Sequence, residues 1–314
     1  MARKLTVLIC THDRRALLMR ALEHLNRARR PDGWQVELLV MANACHDDTE
    51  AHLATYAEEH PDALPLRWQA VPTPGKSHAI NQAMPLIDGE LTAFVDDDHR
   101  VAEDYLVELC RAADRYPDAG LFCGRILPDW DGSEPAWIHD QGPYRIYPLP
   151  VPRFDQGDQP KVLTPDVAIP GGGNLFLRTE WLARTGPFST DLGPVGHNLA
   201  GSEDLDWVLR AQTLGARLQY VPSVIQYHYV DGSRFTLPYM MKKAYLRSAS
   251  IIGLDGNKTT PGIPRYLYRK LGGYLLRALT AWRGDRRRFY LVRTAAALGE
   301  IKGHREWRPK DSRT

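Results

Sequence analysis

Four short apolar runs, each followed by a stretch of helical character, constrain this chain more than any other feature. They are residues 5–10 (LTVLIC), 36–41 (VELLVM), 64–71 and 91–95 (LTAFV). The first of them, short and almost wholly apolar, suits a strand buried on both faces of a parallel sheet, and the others read as further strands. Between them, Leu18, Leu22 and Leu25 recur at helical spacing, and residues 47–60 and 75–86 read as helices. Tyr105, Leu106, Leu109 and Ala113 share one face of a helix over 102–116. This alternation predicts an α/β fold with a mixed, mostly parallel sheet flanked by helices.

The pattern breaks between Pro128 and Pro170, where nine of the 23 prolines fall beside Trp130, Trp137, Tyr144 and Tyr147. An aperiodic stretch of that length reads as a functional loop, its aromatic rings either free to stack on a ligand or packing the loop itself. Periodicity resumes with a strand at 173–178, helices at 179–185 and 202–214, and a β-rich run at 217–229. Beyond residue 231 three segments, 238–250, 264–282 and 286–302, form a helical C-terminal extension.

At 314 residues and 43% hydrophobic the chain can bury a full core, as one large domain with an appendage. Its net charge of +2 conceals an asymmetry. From Asp231 onward there are 19 Lys and Arg against 6 Asp and Glu, leaving 21 against 32 before it. The split predicts an acidic body, 1–230, and a basic helical region, 231–314. That region is either a solvated helical face or an amphipathic one that meets an anionic inner leaflet. No nucleic-acid-binding motif accompanies it, so nucleic acid is not an expected partner. The four cysteines show no CxxC spacing and three lie in apolar runs, which predicts reduced, buried thiols and a cytoplasmic protein. No stretch approaches the roughly 20 apolar residues of a membrane span, and Met1 leads directly into a strand rather than a signal peptide.

Two acidic clusters carry the chemistry. Asp96-Asp97-Asp98 follows the fourth apolar run, where a strand ends and ligands of open α/β sheets gather. Three adjacent carboxylates repel one another unless a cation neutralises them, although a solvated acidic turn gives the same pattern. Along extended chain, Asp96 and Asp98 point one way and Asp97 the other. The second cluster, Ser202-Glu203-Asp204-Leu205-Asp206, opens a helix. Acidic residues in a first turn are favoured by the macrodipole, but two adjacent carboxylates also supply a proton acceptor. Gly171-Gly172-Gly173 upstream lets backbone approach a ligand closely. Gly75-Lys76-Ser77 is either a helix-starting turn or a phosphate contact without P-loop spacing. His228 ends the last apolar strand, and is either a packed core histidine or a further metal ligand. An imidazole among oxygens suits Mn²⁺ better than Mg²⁺.

Taken in order, these pieces resemble family 2 glycosyltransferases of the glycosyltransferase-A fold over about residues 4–230. The resemblance rests on Thr11 and Arg14, Asn43-Ala44-Cys45-His46-Asp47, Gly75-Lys76 with Ala79 and Asn81, and the aspartate triplet. It continues through Gly173-Asn174-Leu175-Phe176-Leu177-Arg178, Gly201-Ser202-Glu203-Asp204-Leu205-Asp206 and Tyr220-Val221-Pro222 with Tyr227-His228. It implies a Rossmann-like sheet with a nucleotide-binding half, 1–100, and an acceptor half, 101–230. It also implies inverting, metal-dependent transfer of a sugar from a nucleotide diphosphate donor, usually UDP-linked. The acceptor would be a hydroxyl of a glycan or lipid-linked molecule, in surface polysaccharide, glycolipid or natural-product assembly.

The resemblance places Thr11, Asn43, Asp47 and Asp97 around the nucleoside, and Arg14, Gly75 and Lys76 near base, ribose or diphosphate. Asp98 would be the principal ligand to Mn²⁺ or Mg²⁺, Asp96 would sit at ribose or metal, and His228 would add a ligand. Asp204 would be the general base and Glu203 would hold the acceptor hydroxyl. Two positions depart from the family pattern. Ala42-Asn43 stands where an acidic residue is common, and Ala79-Ile80-Asn81 replaces the usual Ala-Arg-Asn run. The alternatives are a nucleotidyltransferase, which leaves the Glu203-Asp204 helix start unexplained, or a non-catalytic nucleotide-sugar-binding protein.

Overall fold

The computed structural model describes residues 3–147, 149–168, 170–191, 203–254 and 262–306. The chain divides into two compact units, residues 1–129 with 152–229, and residues 130–151 with 230–314. The regions expected from the sequence, 1–230 and 231–314, put residues 130–151 in the first. They pack instead with the C-terminal helices. Trp130 lies against His139 and Phe235, Trp137 beneath Arg288, and Tyr144 against Phe289 and Tyr290. These rings are occupied as packing groups of the loop.

In the first unit, β1 (Arg3–Thr11), β2 (Trp34–Asn43), β3 (Leu66–Val71) and β4 (Leu91–Phe94) form the parallel portion of the sheet. β5 (His99–Val101), β6 (Leu121–Asp129), β7 (Lys161–Leu163), β8 (Leu175–Arg178) and β9 (Leu218–Tyr229) complete it. The order is β3-β2-β1-β4-β8-β6-β9-β5, with β7 also on β9. β8 runs antiparallel to β4 and β6, whereas β6 and β9 are parallel. Helices α1 (Arg15–Arg27), α2 (Thr49–Glu59), α3 (Lys76–Ala83), α4 (Tyr105–Arg115), α5 (Glu180–Thr185) and α6 (Glu203–Thr213) cover it.

Strand periodicity decides which helix covers which face. Leu5, Val7, Ile9, Leu38 and Val40 point into one cluster, with Leu18, Leu22 and Leu25 of α1 and Leu106 and Leu109 of α4. Their neighbours Leu8, Leu39 and Met41 point into the other, with Ala79 and Ile80 of α3 and Trp207 and Val208 of α6. Both faces are therefore buried, the reason the strands read as unbroken apolar runs.

Three strands escape the sequence pattern. β5 and β7 have three residues each, too few to show alternation, and β6 carries Gly124 and Pro128, which weaken strand character. The register of β6 against β9 shifts between Cys123 and Arg125, where β9 advances from Tyr220 to Ile225, so the extra residues bulge from β9 opposite Gly124. Gly173, expected at the start of a strand, lies instead in a 3-10 turn, Gly172–Asn174, ahead of β8. Ser202, the expected N-cap of α6, lies outside the described residues.

The second unit contains α7 (Leu237–Leu254), α8 (Arg265–Leu279) and α9 (Gly284–Glu306). α8 buries Leu267 and Ala278 while Tyr268, Leu275, Leu276 and Leu279 stay exposed, and Trp282 beyond it is fully exposed. Among the described residues no helix is long and apolar enough to cross a membrane. All four cysteines are free.

Candidate active site

The carboxyl ends of β1, β2 and β4 open onto one site, built entirely within the first unit. β1 ends at Thr11, whose hydroxyl donates to Asp97 Oδ2 at 2.8 Å. Arg14 follows and spans the triplet, one guanidinium nitrogen lying 3.1 Å from both Asp97 Oδ1 and Asp98 Oδ2. Burial and the adjacent Asp98 push the Asp97 carboxyl up to about 6, against the pull of Arg14 and Thr11.

β2 ends at Asn43, which is buried. Its amide donates to the Val71 and Thr73 carbonyls (3.3 and 2.7 Å), and its oxygen accepts the Gly75 N–H (2.8 Å). Asn43 thereby shapes the turn that begins α3 at Lys76. Gly75 has φ +130° there, a conformation that a side chain would strain. Asp47, also expected at the nucleoside, accepts the Arg15 and Thr49 backbone N–H groups (3.2 and 3.1 Å), and Asp13 accepts those of His46 and Asp47. Asp13, Cys45 and Asp47 lie close enough to hold an ion, but these carboxylates are already satisfied by backbone donors.

Lys76 links the two acidic clusters. Its ammonium lies 2.8 Å from Asp96 Oδ1 and 4.0 Å from Asp204 Oδ2. Burial opposes the Lys76 charge, yet Asp96 and Asp204 outweigh it and hold the pKa well above the ordinary value. Burial likewise opposes the Asp96 charge, but Lys76 overrides it and keeps that carboxyl far below the usual range. The triplet and the start of α6 are therefore brought to one place by a single ammonium.

The position of α6 is fixed by packing. Trp207 is fully buried and stacks on Phe188, ring centroids 5.0 Å apart, while its Nε1–H donates to Gly186 O (2.9 Å). Asn81 of α3 grips the Phe188 backbone through both amide atoms (2.9 and 2.8 Å). The helix that bears Lys76 is thus tied to the one that bears Asp204. Gly172 donates its N–H to Asp204 Oδ2 at 2.8 Å. A Cβ at Gly172 would sit 2.3 Å from the Asp204 carboxylate, and one at Gly173 would sit 2.6 Å from Asp96 Oδ2. Glu203 is buried beside Asp204, whereas Asp206 turns away to pair with Arg210 at 2.9 Å.

The site contains a group that the sequence reading did not single out. β5 pairs antiparallel with β9 in a register that sets His99 opposite His228, their rings 5.0 Å apart. Gln226, fully buried, donates its amide to Phe94 O and the Tyr105 hydroxyl (3.0 and 2.7 Å). Its oxygen therefore faces His99 Nδ1 at 2.6 Å, and Nδ1 must be the donor. His228 Nδ1 likewise donates to the Tyr229 carbonyl at 2.6 Å. In the neutral rings both Nε2 atoms are consequently bare lone pairs, and both point at Asp98, at 3.9 and 3.6 Å. Burial lowers the His228 pKa, although Asp98 opposes it, which favours the neutral imidazole.

Asp98, His99 and His228 thus offer only acceptors to one another, at spacings that suit a cation bonded at about 2.0–2.2 Å rather than direct hydrogen bonds. Mixed nitrogen and oxygen donors fit Mn²⁺ better than Mg²⁺. Asp96 Oδ2 reaches the same imidazole at 3.9 Å, but its other oxygen is committed to Lys76. Asp96 thus borders the cluster rather than joining it. Alternation along β9 puts Gln226 and His228 on one face, a signal available in the sequence. The register of His99 was not, because a three-residue strand leaves no pattern.

A family model described as glycosyltransferase like family 2 matches residues 2–242. The chain belongs to this family. It has the glycosyltransferase-A fold. Over 104 residues it is 33% identical to the β-monoglucosyldiacylglycerol synthase of Trichormus variabilis, a match covering 33% of this chain and 22% of that protein. The chain therefore corresponds to about a fifth of that relative's length. Among solved structures, a mannosyltransferase of Pyrobaculum calidifontis in complex with GDP-Man and Mn²⁺ aligns with TM-score 0.54 and 19% identity. That alignment covers 94% of this chain and 86% of the other. Residues 1–349 of S. aureus TarS with UDP-GlcNAc align with TM-score 0.52 and 16% identity, over 80% and 67% of the two chains. These likenesses show the shared fold.

Proposed function

We propose that this glycosyltransferase moves a sugar from a nucleotide diphosphate donor, UDP-linked for preference, to an acceptor hydroxyl with inversion. The observation that carries the reading is a cluster of acceptors alone, Asp98 Oδ with two bare Nε2 atoms, beside a carboxylate pair that Lys76 bridges. Asp98, His99 and His228 would hold a divalent ion, Mn²⁺ for preference, with Asp96 at its edge. Such an ion, when bound, neutralises the negative charge that grows on the departing diphosphate. The structures with GDP-Man and Mn²⁺ and with UDP-GlcNAc support this choice of donor and cation.

The chain's own groups divide the remaining work. Thr11, Asn43, Asp47 and Asp97 shape the nucleoside end, largely by fixing the loops around it. Arg14 and Lys76 bring positive charge to the diphosphate. Asp204 keeps Oδ2 on the Gly172 N–H and presents Oδ1 to the acceptor hydroxyl, whose proton it takes as the oxygen attacks. Glu203 holds that hydroxyl in line. Attack on the face opposite the leaving group inverts the anomeric centre. Lipid-linked acceptors are favoured over free glycans by the basic second unit and its exposed α8 face, which suit an anionic cytoplasmic leaflet.

The test is nucleotide release from a panel of nucleotide sugars with Mn²⁺, Mg²⁺ or EDTA. Metal-dependent release of UDP supports the reading, and pyrophosphate release would replace it with nucleotidyl transfer. Asp204→Asn is expected to lower kcat by roughly 10²–10⁴ while donor affinity stays unchanged. Full activity in that variant removes the base from Asp204.

A further inference from the structure

The second unit holds a cleft of about 760 Å³, open on one side to solvent and lined by α7, α9 and residues 142–147. Its wall is of two kinds. Met240, Phe289 and Val292 supply apolar surface, while Arg145, Lys243, Arg247 and Arg293 bring four cations from three separate segments. Among the described residues none of these four pairs with a carboxylate. Nearby cations do: Arg234 lies 3.3 Å from Asp231, and Arg288 lies 3.6 Å from Asp140.

Four uncompensated charges around one cavity repel each other. Lys243 registers part of this: burial and the nearby Arg234 lower its pKa, and of the other three cations Arg247 lowers it further. Binding an anion would reverse that cost. The cavity is of ligand size and does not need to be created, because α7 and α9 pack so closely that a Cβ at Gly299 would sit 2.1 Å from Tyr245 O. Three of the cations are arginines, whose forked donors match the oxygens of a phosphate. A bare phosphate would leave the apolar wall unused, and a neutral lipid would leave the cations unpaired.

We propose that this cavity binds the phosphate head and proximal chain of one anionic phospholipid, a discrete site separate from the sugar-transfer centre. The proposal stands on the second unit alone and does not depend on which donor or acceptor the first unit uses.

Isothermal titration of the full chain with dihexanoyl phosphatidic acid, kept below its micelle concentration, tests it. Saturable binding of one molecule per chain is expected, with dihexanoyl phosphatidylcholine and inorganic phosphate each at least roughly tenfold weaker. Lys243→Gln with Arg293→Gln should weaken binding by about a hundredfold, two charge-assisted contacts at about tenfold each. Ala296→Trp should fill the cavity and abolish binding. A thermal midpoint close to that of the parent shows that each variant is folded; should Ala296→Trp fail to fold, the charge variant alone decides. Equal affinity for phosphatidylcholine would overturn the anionic head. Equal affinity for inorganic phosphate would overturn the apolar component. Undiminished binding in folded Lys243→Gln/Arg293→Gln would overturn the site itself.

Discussion

Asp98 faces two imidazole Nε2 atoms that cannot bond it without a positive charge between them, while Arg14 holds one of its oxygens from the other side, and this residue-scale fact has separable consequences. Asp98→Ala removes the sole carboxylate of the cluster. Donor affinity measured by titration should then fall in Mn²⁺ and change little in EDTA, and equal loss in both would assign Asp98 a structural part only. Gln226 acts one step away, by holding the proton of His99 on Nδ1. Gln226→Leu frees that tautomer and leaves the Tyr105 hydroxyl and the Phe94 carbonyl short of a donor. Mn²⁺ affinity should drop by about 10–100-fold. Stability should fall by only about 1–3 kcal/mol. Gln226→Glu, which can still accept from Nδ1, should recover part of the affinity. Unchanged Mn²⁺ binding in folded Gln226→Leu would show that His99 is not a ligand. At this scale Asp98, His228 and Asp204 were legible, because carboxylates at a strand end and a helix start stand out. Asn43 and Asp47 were visible as polar loop residues, but only the hydrogen-bond partners show that both are spent on backbone.

At the scale of elements, two glycines separate positioning from stability. Gly124 of β6 sits opposite the bulge in β9, where an added Cβ would lie 2.0 Å from the Val224 carbonyl of that strand and 2.5 Å from Asn174 Nδ2. Neither strand can yield without breaking the ladder. Gly124→Ala should therefore destabilise by about 2–4 kcal/mol in denaturant unfolding. Gly172→Ala meets only the Asp204 carboxylate, the end of a side chain that can rotate away. Its unfolding midpoint should barely move while kcat falls at least about tenfold, because the displaced base loses its aim. The reverse pattern, a stable and active Gly124→Ala or an unstable Gly172→Ala, would contradict the packing described. β1, β2 and β4 were readable from composition, being buried on both faces. β5, β6 and β7 were not: each pairs with β9, about 55–129 residues away, and no local period records it.

For the whole molecule the excess of Lys and Arg beyond residue 231 was plain in the sequence, yet the face through which it would act was not. α8 has apolar residues around much of its circumference, and periodicity cannot say which side packs. The structure buries Leu267 and Ala278 and leaves Tyr268, Leu275, Leu276 and Leu279 outward, with Trp282 beyond them and Arg265, Arg269 and Arg277 alongside. An apolar stripe bordered by cations and ending in an aromatic ring is the composition of a helix that lies in a bilayer interface. Sedimentation with vesicles containing phosphatidylserine should therefore capture the chain at about 0.1 M salt and release much of it at about 1 M, where charge is screened within roughly 3 Å. Leu279→Ala with Trp282→Ala removes apolar contact without altering charge. It should weaken capture by at least about tenfold, since each side chain buried in the interface contributes on the order of 1–3 kcal/mol. Capture that depends on salt but ignores this pair would mean that the cations act alone. Capture by phosphatidylcholine vesicles equal to that by phosphatidylserine would remove the charge from the argument and leave a purely apolar face. Because the cavity between α7 and α9 is tested with monomeric lipid, its occupancy and this surface contact can fail independently.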